Sequence, residues 1–196
     1  MKRIVFATGN EGKLKEVRDI FSDTNFQIIS MNELGDIPEI EEDGSTFEDN
    51  AQKKAIYIYN RFKLPTISDD SGLAIEQLGG RPGVFSARYA GEDCTFDDNN
   101  KKVIEELTEL PEPHKAQFIS LAVFFNGRTI QKAVGKLPGK IIHEYRGTNG
   151  FGYDPIFVPD GHEITLAEMT PELKNKISHR AIAFGQLKEI LLTTEV

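Results

Sequence analysis

Tryptophan is absent from these 196 residues, and cysteine occurs once, as Cys94. One thiol cannot close an intrachain disulfide, and it cannot build a cysteine-based metal site. No apolar run approaches the roughly 18 residues of a membrane-spanning helix. The opening stretch, MKRIVFATGN, has an apolar core of only Ile4 to Ala7, too short for a secretory signal. Positive charge is also scarce: 23 basic residues face 31 acidic ones, a formal net charge of -8. That balance disfavours long nucleic acids, which call for a basic surface, but leaves room for a small phosphorylated ligand held by a few local cations. A cytoplasmic protein is expected, with neither membrane nor polymeric nucleic acid as partner.

What the chain does have is an α/β rhythm. Lys2 to Ala7 is β-branched and aromatic and ends at a TGN turn. Gly12 to Phe21 then places Leu14, Val17, Ile20 and Phe21 at helical spacing, and FQIIS (26–30) reads as a second strand. The acidic, non-periodic segment 36–44 reads as a loop. Thr46 with Asp49 forms a capping box ahead of a helix whose apolar stripe is Phe47, Ala51, Ala55 and Ile58. LPTIS (64–68) is a strand that ends at Asp69-Asp70, with Gly72 permitting a sharp turn after them. LGGRPG (78–83) is dense in turn residues. Thr95 with Asp98 caps a further helix carrying Val103, Ile104, Leu107 and Leu110. AQFISLAVFF and RTIQKAVG flank Asn126-Gly127, a strong hairpin signal. Thr170-Pro171 opens a short helix, and Ser178 caps a last one reaching about Leu192. The pattern predicts one mixed α/β domain over residues 1–196, its hairpin-rich middle forming a second lobe across a cleft.

Four stretches carry chemistry. Thr8-Gly9-Asn10-Glu11-Gly12-Lys13 joins a strand to a helix, where backbone N–H groups, the helix dipole and the Lys13 charge suit a phosphate. It lacks the spacing of a Walker A loop and of a dinucleotide fingerprint, so a tight turn explains it equally well in isolation. The acidic pairs Glu41-Glu42 and Asp69-Asp70 offer hard oxygen donors of the kind Mg²⁺ shares with substrate phosphates. Adjacent carboxylates at the mouth of a buried strand require something positive nearby. In GTNGFGYDP (147–155), glycines free the backbone around Phe151, Tyr153 and Asp154 to approach a flat ring. In ELKNKISHR (172–180), Lys174, Lys176, His179 and Arg180 cluster at a helix N-terminus, where cations do not complement the dipole and an anion or electron-rich acceptor is wanted.

In this order, ATGNEGKLKE, EEDGSTFEDNAQKKA, DDSGLAIEQLGGRPGVFSARYAG, GFGYDPIF and KNKISHR closely resemble the inosine triphosphate pyrophosphatase family over essentially the whole chain, most nearly its bacterial dITP/XTP branch. The resemblance implies an elongated mixed sheet flanked by helices in two lobes with a central cleft. It further implies a homodimer and Mg²⁺-dependent hydrolysis of ITP, dITP or XTP to the monophosphate and pyrophosphate, which cleanses the nucleotide pool. By motif, Thr8, Gly9, Asn10, Glu11, Gly12 and Lys13 would hold the triphosphate, with Lys54 and Ser71 also touching substrate. Asp70 would be the general base and, with Glu41, a metal ligand. Phe151, Gly152, Tyr153, Asp154, Lys174, His179 and Arg180 would form the base pocket, Arg180 donating to the purine 6-oxygen.

Two positions depart from the family pattern: Asp49 where glutamate is usual, and Asn149 where glycine is common and a positive φ is anticipated. Two alternatives stay open: a septum-formation-inhibitor-type pyrophosphatase of other base preference, and a nucleotide-binding module without catalysis.

Overall fold

A computed structural model of the chain describes residues 1–38 and 40–194. Glu39, in the expected acidic loop, lies outside the described residues. The elements run β1 (Lys2–Phe6), α1 (Glu11–Phe21), β2 (Phe26–Ser30), α2 (Phe47–Phe62), β3 (Thr66–Ile75), α3 (Phe96–Leu107), β4 (His114–Phe125), β5 (Ile130–Ile141), β6 (Phe157–Pro159), α4 (Pro171–Ile177) and α5 (His179–Thr193). The strands form one mixed sheet ordered β2-β1-β3-β4-β5-β6. β1 is parallel to both β2 and β3, whereas β5 and β6 are antiparallel. No helix among the described residues is long and apolar enough to cross a membrane.

Cα packing divides the chain into two compact units. The first comprises Met1–Asp70, Ser120–Gly135 and His179–Val196; the second comprises Ser71–Ile119 and Lys136–Ser178. In the first, strand alternation sends Ile4, Phe6, Ile67 and Phe124 to one face, where they meet Leu14, Val17 and Phe21 of α1 and Phe184, Leu187 and Leu191 of α5. Val5 and Ala7 take the opposite face and pack with Ile58 of α2, while Ala51 and Ala55 of α2 cover Leu121 and Val123. Each fully buried Phe or Leu here contributes about 1.5–3 kcal/mol relative to exposure. The seating of α5 depends on Gly135: a Cβ there would stand 1.9 Å from the His179 carbonyl oxygen, so any side chain would push the start of α5 off the strand.

The second unit has its own core, with Leu73, Ile75, Val103, Leu107, Phe118, Ile141, Ile156 and Phe157 all buried together. Its glycine-rich segment is tied inward by Tyr153, whose hydroxyl donates to the Ser86 carbonyl at 2.8 Å, and by Asn100, whose amide donates to the Gly152 carbonyl at 3.0 Å.

Two expectations are corrected. β3 does not end at the aspartates but runs on to Ile75, with Gly72 buried inside it. And β5 continues beyond Gly135 to Ile141. In both strands extended pairing overrides the local turn chemistry of glycine.

Candidate active site

Parallel pairing is what assembles the site. Phe6 lies beside Ile67, and the Ala7 N–H donates to the Ile67 carbonyl at 2.9 Å, so the Thr8–Lys13 turn is set down next to Asp69. Asn10 caps α1: its side-chain oxygen accepts the Lys13 N–H at 3.0 Å, and its own N–H donates to the Thr8 hydroxyl at 3.1 Å. The turn is thus fixed by its own side chains, with the N-terminal N–H groups of α1 behind it.

Asp69 and Asp70 answer their mutual repulsion by alternating. Asp69 points to the α1/α5 face, where Lys13 Nζ lies 3.1 Å away and Arg180 Nε donates at 3.3 Å. The other end of the Arg180 guanidinium reaches Glu16 of α1 at 2.6 Å. Asp69 and Arg180 are almost wholly buried. Burial pushes the Asp69 carboxyl up, but Lys13, Arg180 and Lys54 outweigh that and hold it well below the ordinary carboxylate range. For Lys13 the balance runs the other way. Burial, helped by Arg180 and Lys54, lowers it despite the neighbouring aspartates.

Asp70 points to the α2 face, as Ser68 does, whose hydroxyl donates to the Ala51 carbonyl at 2.6 Å. Asn50 of α2 donates to Asp70 Oδ2 at 2.9 Å. Burial raises the Asp70 carboxyl; the Glu42 charge adds to the rise, while Lys54 opposes it. Lys54, buried on α2, is paired with Glu42 at 2.5 Å. A raised aspartate that is still held by a hydrogen bond has the character of a general base.

The second unit brings together a different set. Lys174 of α4 is bound to Asp154 at 2.7 Å, both buried, and its ammonium lies 4.7 Å from the centroid of the Phe151 ring. The Phe151 N–H donates to Asp154 Oδ2 at 2.9 Å. Gly150 makes this possible: its φ is +77°, and a Cβ there would sit 2.0 Å from that same oxygen.

Several expected positions have contacts or exposures that the sequence reading did not anticipate. Arg180 is paired with both Asp69 and Glu16, so its guanidinium holds the Asp69 face. Glu41 is exposed, and it is Glu42 whose charge acts on Asp70. Asp49 is exposed too and accepts from the Thr46 N–H and hydroxyl, completing the capping box at the start of α2. Asn149 does not adopt positive φ; that conformation falls to Gly147 and Gly150, while the Asn149 amide ties down the Met169 carbonyl at 3.0 Å. His179 is buried at the start of α5, Tyr153 serves the second core, and Ser71 follows Asp70 half-buried.

Asn50, Glu16 and Asp69 itself are the members that sequence reasoning missed or left without a role. A signal existed for the first: Phe47, Asn50, Ala51, Lys54, Ala55 and Ile58 share one helix face, and the two polar residues interrupt an otherwise apolar stripe.

A family model described as the Ham1 family matches residues 4–190. The chain belongs to the Ham1 family. It is 43% identical over 192 residues to a dITP/XTP pyrophosphatase of Porphyromonas gingivalis, an alignment that covers 98% of both chains. It is 45% identical to the dITP/XTP pyrophosphatase of Oceanobacillus iheyensis, covering 98% of this chain and all of that one. Among solved structures, a HAM1 protein from Coxiella burnetii superposes with a TM-score of 0.91 at 40% identity, covering 99% of this chain and 100% of that one. For a Ham1 family chain, the fold and the motif resemblance therefore agree along the full length.

Proposed function

We propose that this chain is a nucleoside triphosphate pyrophosphatase that hydrolyses deaminated purine nucleotides, ITP, dITP and XTP, to the monophosphate and pyrophosphate, removing them from the nucleotide pool. The observation that carries the reading is Asp70: a buried, hydrogen-bonded carboxylate with raised proton affinity, in the same cluster as Lys13, Lys54 and a capped helix N-terminus.

In this reading the triphosphate lies along Thr8–Lys13, where backbone N–H groups and the Lys13 ammonium take its charge. Asp70 orients a water and removes its proton as the oxygen attacks the α-phosphorus; the bond to the bridging oxygen breaks, and pyrophosphate departs. Asn50 keeps the Asp70 carboxylate aimed. Asp69 does not take the proton, because its cations hold it ionised; it anchors Lys13 instead.

The donor set fits a hard divalent cation. Asp70 and Glu42 bring two carboxylates to one face of β3, close enough for the Glu42 charge to raise Asp70. Asp70 and Glu42 would hold Mg²⁺, with Glu41 next in line on the same loop, and the ion would neutralise charge on the phosphates. The second unit, taken by itself, has a feature suited to a purine: Asp154 holds the Lys174 ammonium over the Phe151 ring. That gives one donor for a purine 6-oxygen, which adenine replaces with an amino group, and one apolar face for stacking. Release assays with Mg²⁺ across ITP, dITP, XTP, GTP and ATP test the proposal. Pyrophosphate should appear from the first three much faster than from ATP. Orthophosphate as the first product, or equal rates for ITP and ATP, would sink it.

A further inference from the structure

Far along the sequence from the Asp70 cluster, three potential metal ligands converge in the second unit: Glu112, His114 and His143, whose ligand atoms all lie within 4.8 Å of one another. His114 opens β4, Glu112 lies two residues before it, and His143 follows β5 by two residues. β4 and β5 are neighbours in the sheet, so the three residues gather at the end of this strand pair away from the Asn126-Gly127 turn.

The orientation of His114 is settled by a relay. The Gln77 side-chain amide nitrogen donates to the Pro111 carbonyl at 2.7 Å, which turns its oxygen toward His114 Nδ1, also at 2.7 Å. An amide oxygen only accepts, so Nδ1 carries the proton and Nε2 presents its lone pair. This is how a metal-binding histidine is ordinarily prepared, its second nitrogen held by an oxygen acceptor that fixes tautomer and ring plane. The lone pair faces His143 Nε2 at 3.0 Å, and the two rings are nearly parallel, 9° apart. Around an ion with metal–nitrogen bonds of about 2.0–2.1 Å, adjacent nitrogens lie roughly 2.9–3.4 Å apart. His114 is buried, whereas Glu112 and His143 are exposed, which leaves a solvent-facing approach.

We propose that Glu112, His114 and His143 form a second metal site, separate from the Asp70 cluster and selective for a borderline transition ion of the zinc type. Two imidazoles and one carboxylate are a poor match for Mg²⁺, which wants oxygen, and a good one for Zn²⁺. Without metal, the His143 Nε2–H donates to the His114 lone pair. Loading moves that proton to Nδ1 of the exposed His143 ring and turns the same nitrogen toward the ion. The ion then ties the start of β4 to the segment leaving β5.

The test is calorimetric titration of chelator-treated protein with Zn²⁺, with thermal melting as a second readout. The expected result is one tight equivalent that raises the melting temperature and survives millimolar Mg²⁺. His143→Ala and Glu112→Gln should each weaken it at least tenfold. Gln77→Ala, which removes a positioning residue, should weaken it about tenfold. Asp70→Asn should retain that equivalent in full. No stoichiometric zinc binding, unchanged affinity in His143→Ala and Glu112→Gln, or loss of the equivalent in Asp70→Asn would each overturn the proposal and leave a plain histidine–histidine hydrogen bond.

Discussion

On one face of β3, Asp69 is enclosed by Lys13 and Arg180, and Arg180 in turn by Glu16, in a network largely out of water. On the other face, Asp70 shares its surroundings with Glu42 as well as Lys54, and Glu42 is only half-buried. The same residue type, one position apart in the same strand, is therefore driven in opposite directions. Where the cations win, the carboxyl is fixed as an anion and becomes part of the scaffold. Where burial and a like charge win, it holds a proton more readily and can exchange it.

The sharpest way to break this contrast is to neutralise each aspartate in turn. Asp70→Asn should lower turnover about 10²- to 10⁴-fold, the range for a lost general base, with its fold intact because Asn50 can still donate to the new side-chain oxygen. Urea unfolding should show no loss of stability. Asp69→Asn should do the reverse in kind: it removes the carboxylate that faces both Lys13 and Arg180, leaves Glu16 as the acid beside Arg180, and costs about 3–5 kcal/mol, read from the urea midpoint at unchanged slope. If Asp69→Asn unfolds no more easily than Asp70→Asn, the enclosed network does not support the fold.

Acid should separate the two faces as well. The Asp69 carboxyl is depressed in the folded state, so its stabilisation is complete above the unfolded carboxylate value of about 4 and is lost as the pH falls toward the lower folded value. Metal-free wild type should therefore shed stability on acidification more steeply than Asp69→Asn, followed by denaturant midpoints at successive pH values. Parallel curves would contradict the depressed carboxyl.

A smaller effect distinguishes the two loop glutamates. Glu42→Gln should raise the Mg²⁺ concentration for half-maximal activity about tenfold or more, while Glu41→Gln should change it less than twofold. Equal responses would mean that the loop presents both carboxylates to the ion.

Much of this architecture was legible because it is local. The Thr46/Asp49 and Thr95/Asp98 capping boxes announce α2 and α3, the Asn126-Gly127 turn announces β4 and β5, and the polar turn at Thr8–Lys13 sits where strand meets helix. What was illegible depends on tertiary partners. β3 reads as a strand broken at its aspartates because propensity penalises charge in a strand, and only the arrival of Lys13, Arg180 and Asn50 from three helices makes extended backbone tolerable there. Arg180 reads by motif as a base-pocket donor, and nothing in its neighbourhood in sequence reveals Glu16, 164 residues away. The three-residue β6 carries no periodicity at all and exists through pairing with β5.

The smallest expected effect falls on the residue that looked most suspicious in sequence. Asp49 is the shorter acid at a position where glutamate is usual, and a shortened ligand in a metal site would be costly. Its carboxylate instead accepts from the Thr46 N–H at 3.2 Å and from the Thr46 hydroxyl at 2.8 Å, on the exposed first turn of α2. A capping box accepts either acid at this position, and negative charge in a first turn complements the dipole whichever side chain carries it. Asp49→Glu should therefore shift stability by no more than about 0.5 kcal/mol and leave kcat/KM for ITP and the Mg²⁺ requirement unchanged. A several-fold change in either kinetic quantity would show that the α2 N-terminus belongs to the reacting face of β3, and the division between scaffold and site drawn at Asp69 and Asp70 would have to move.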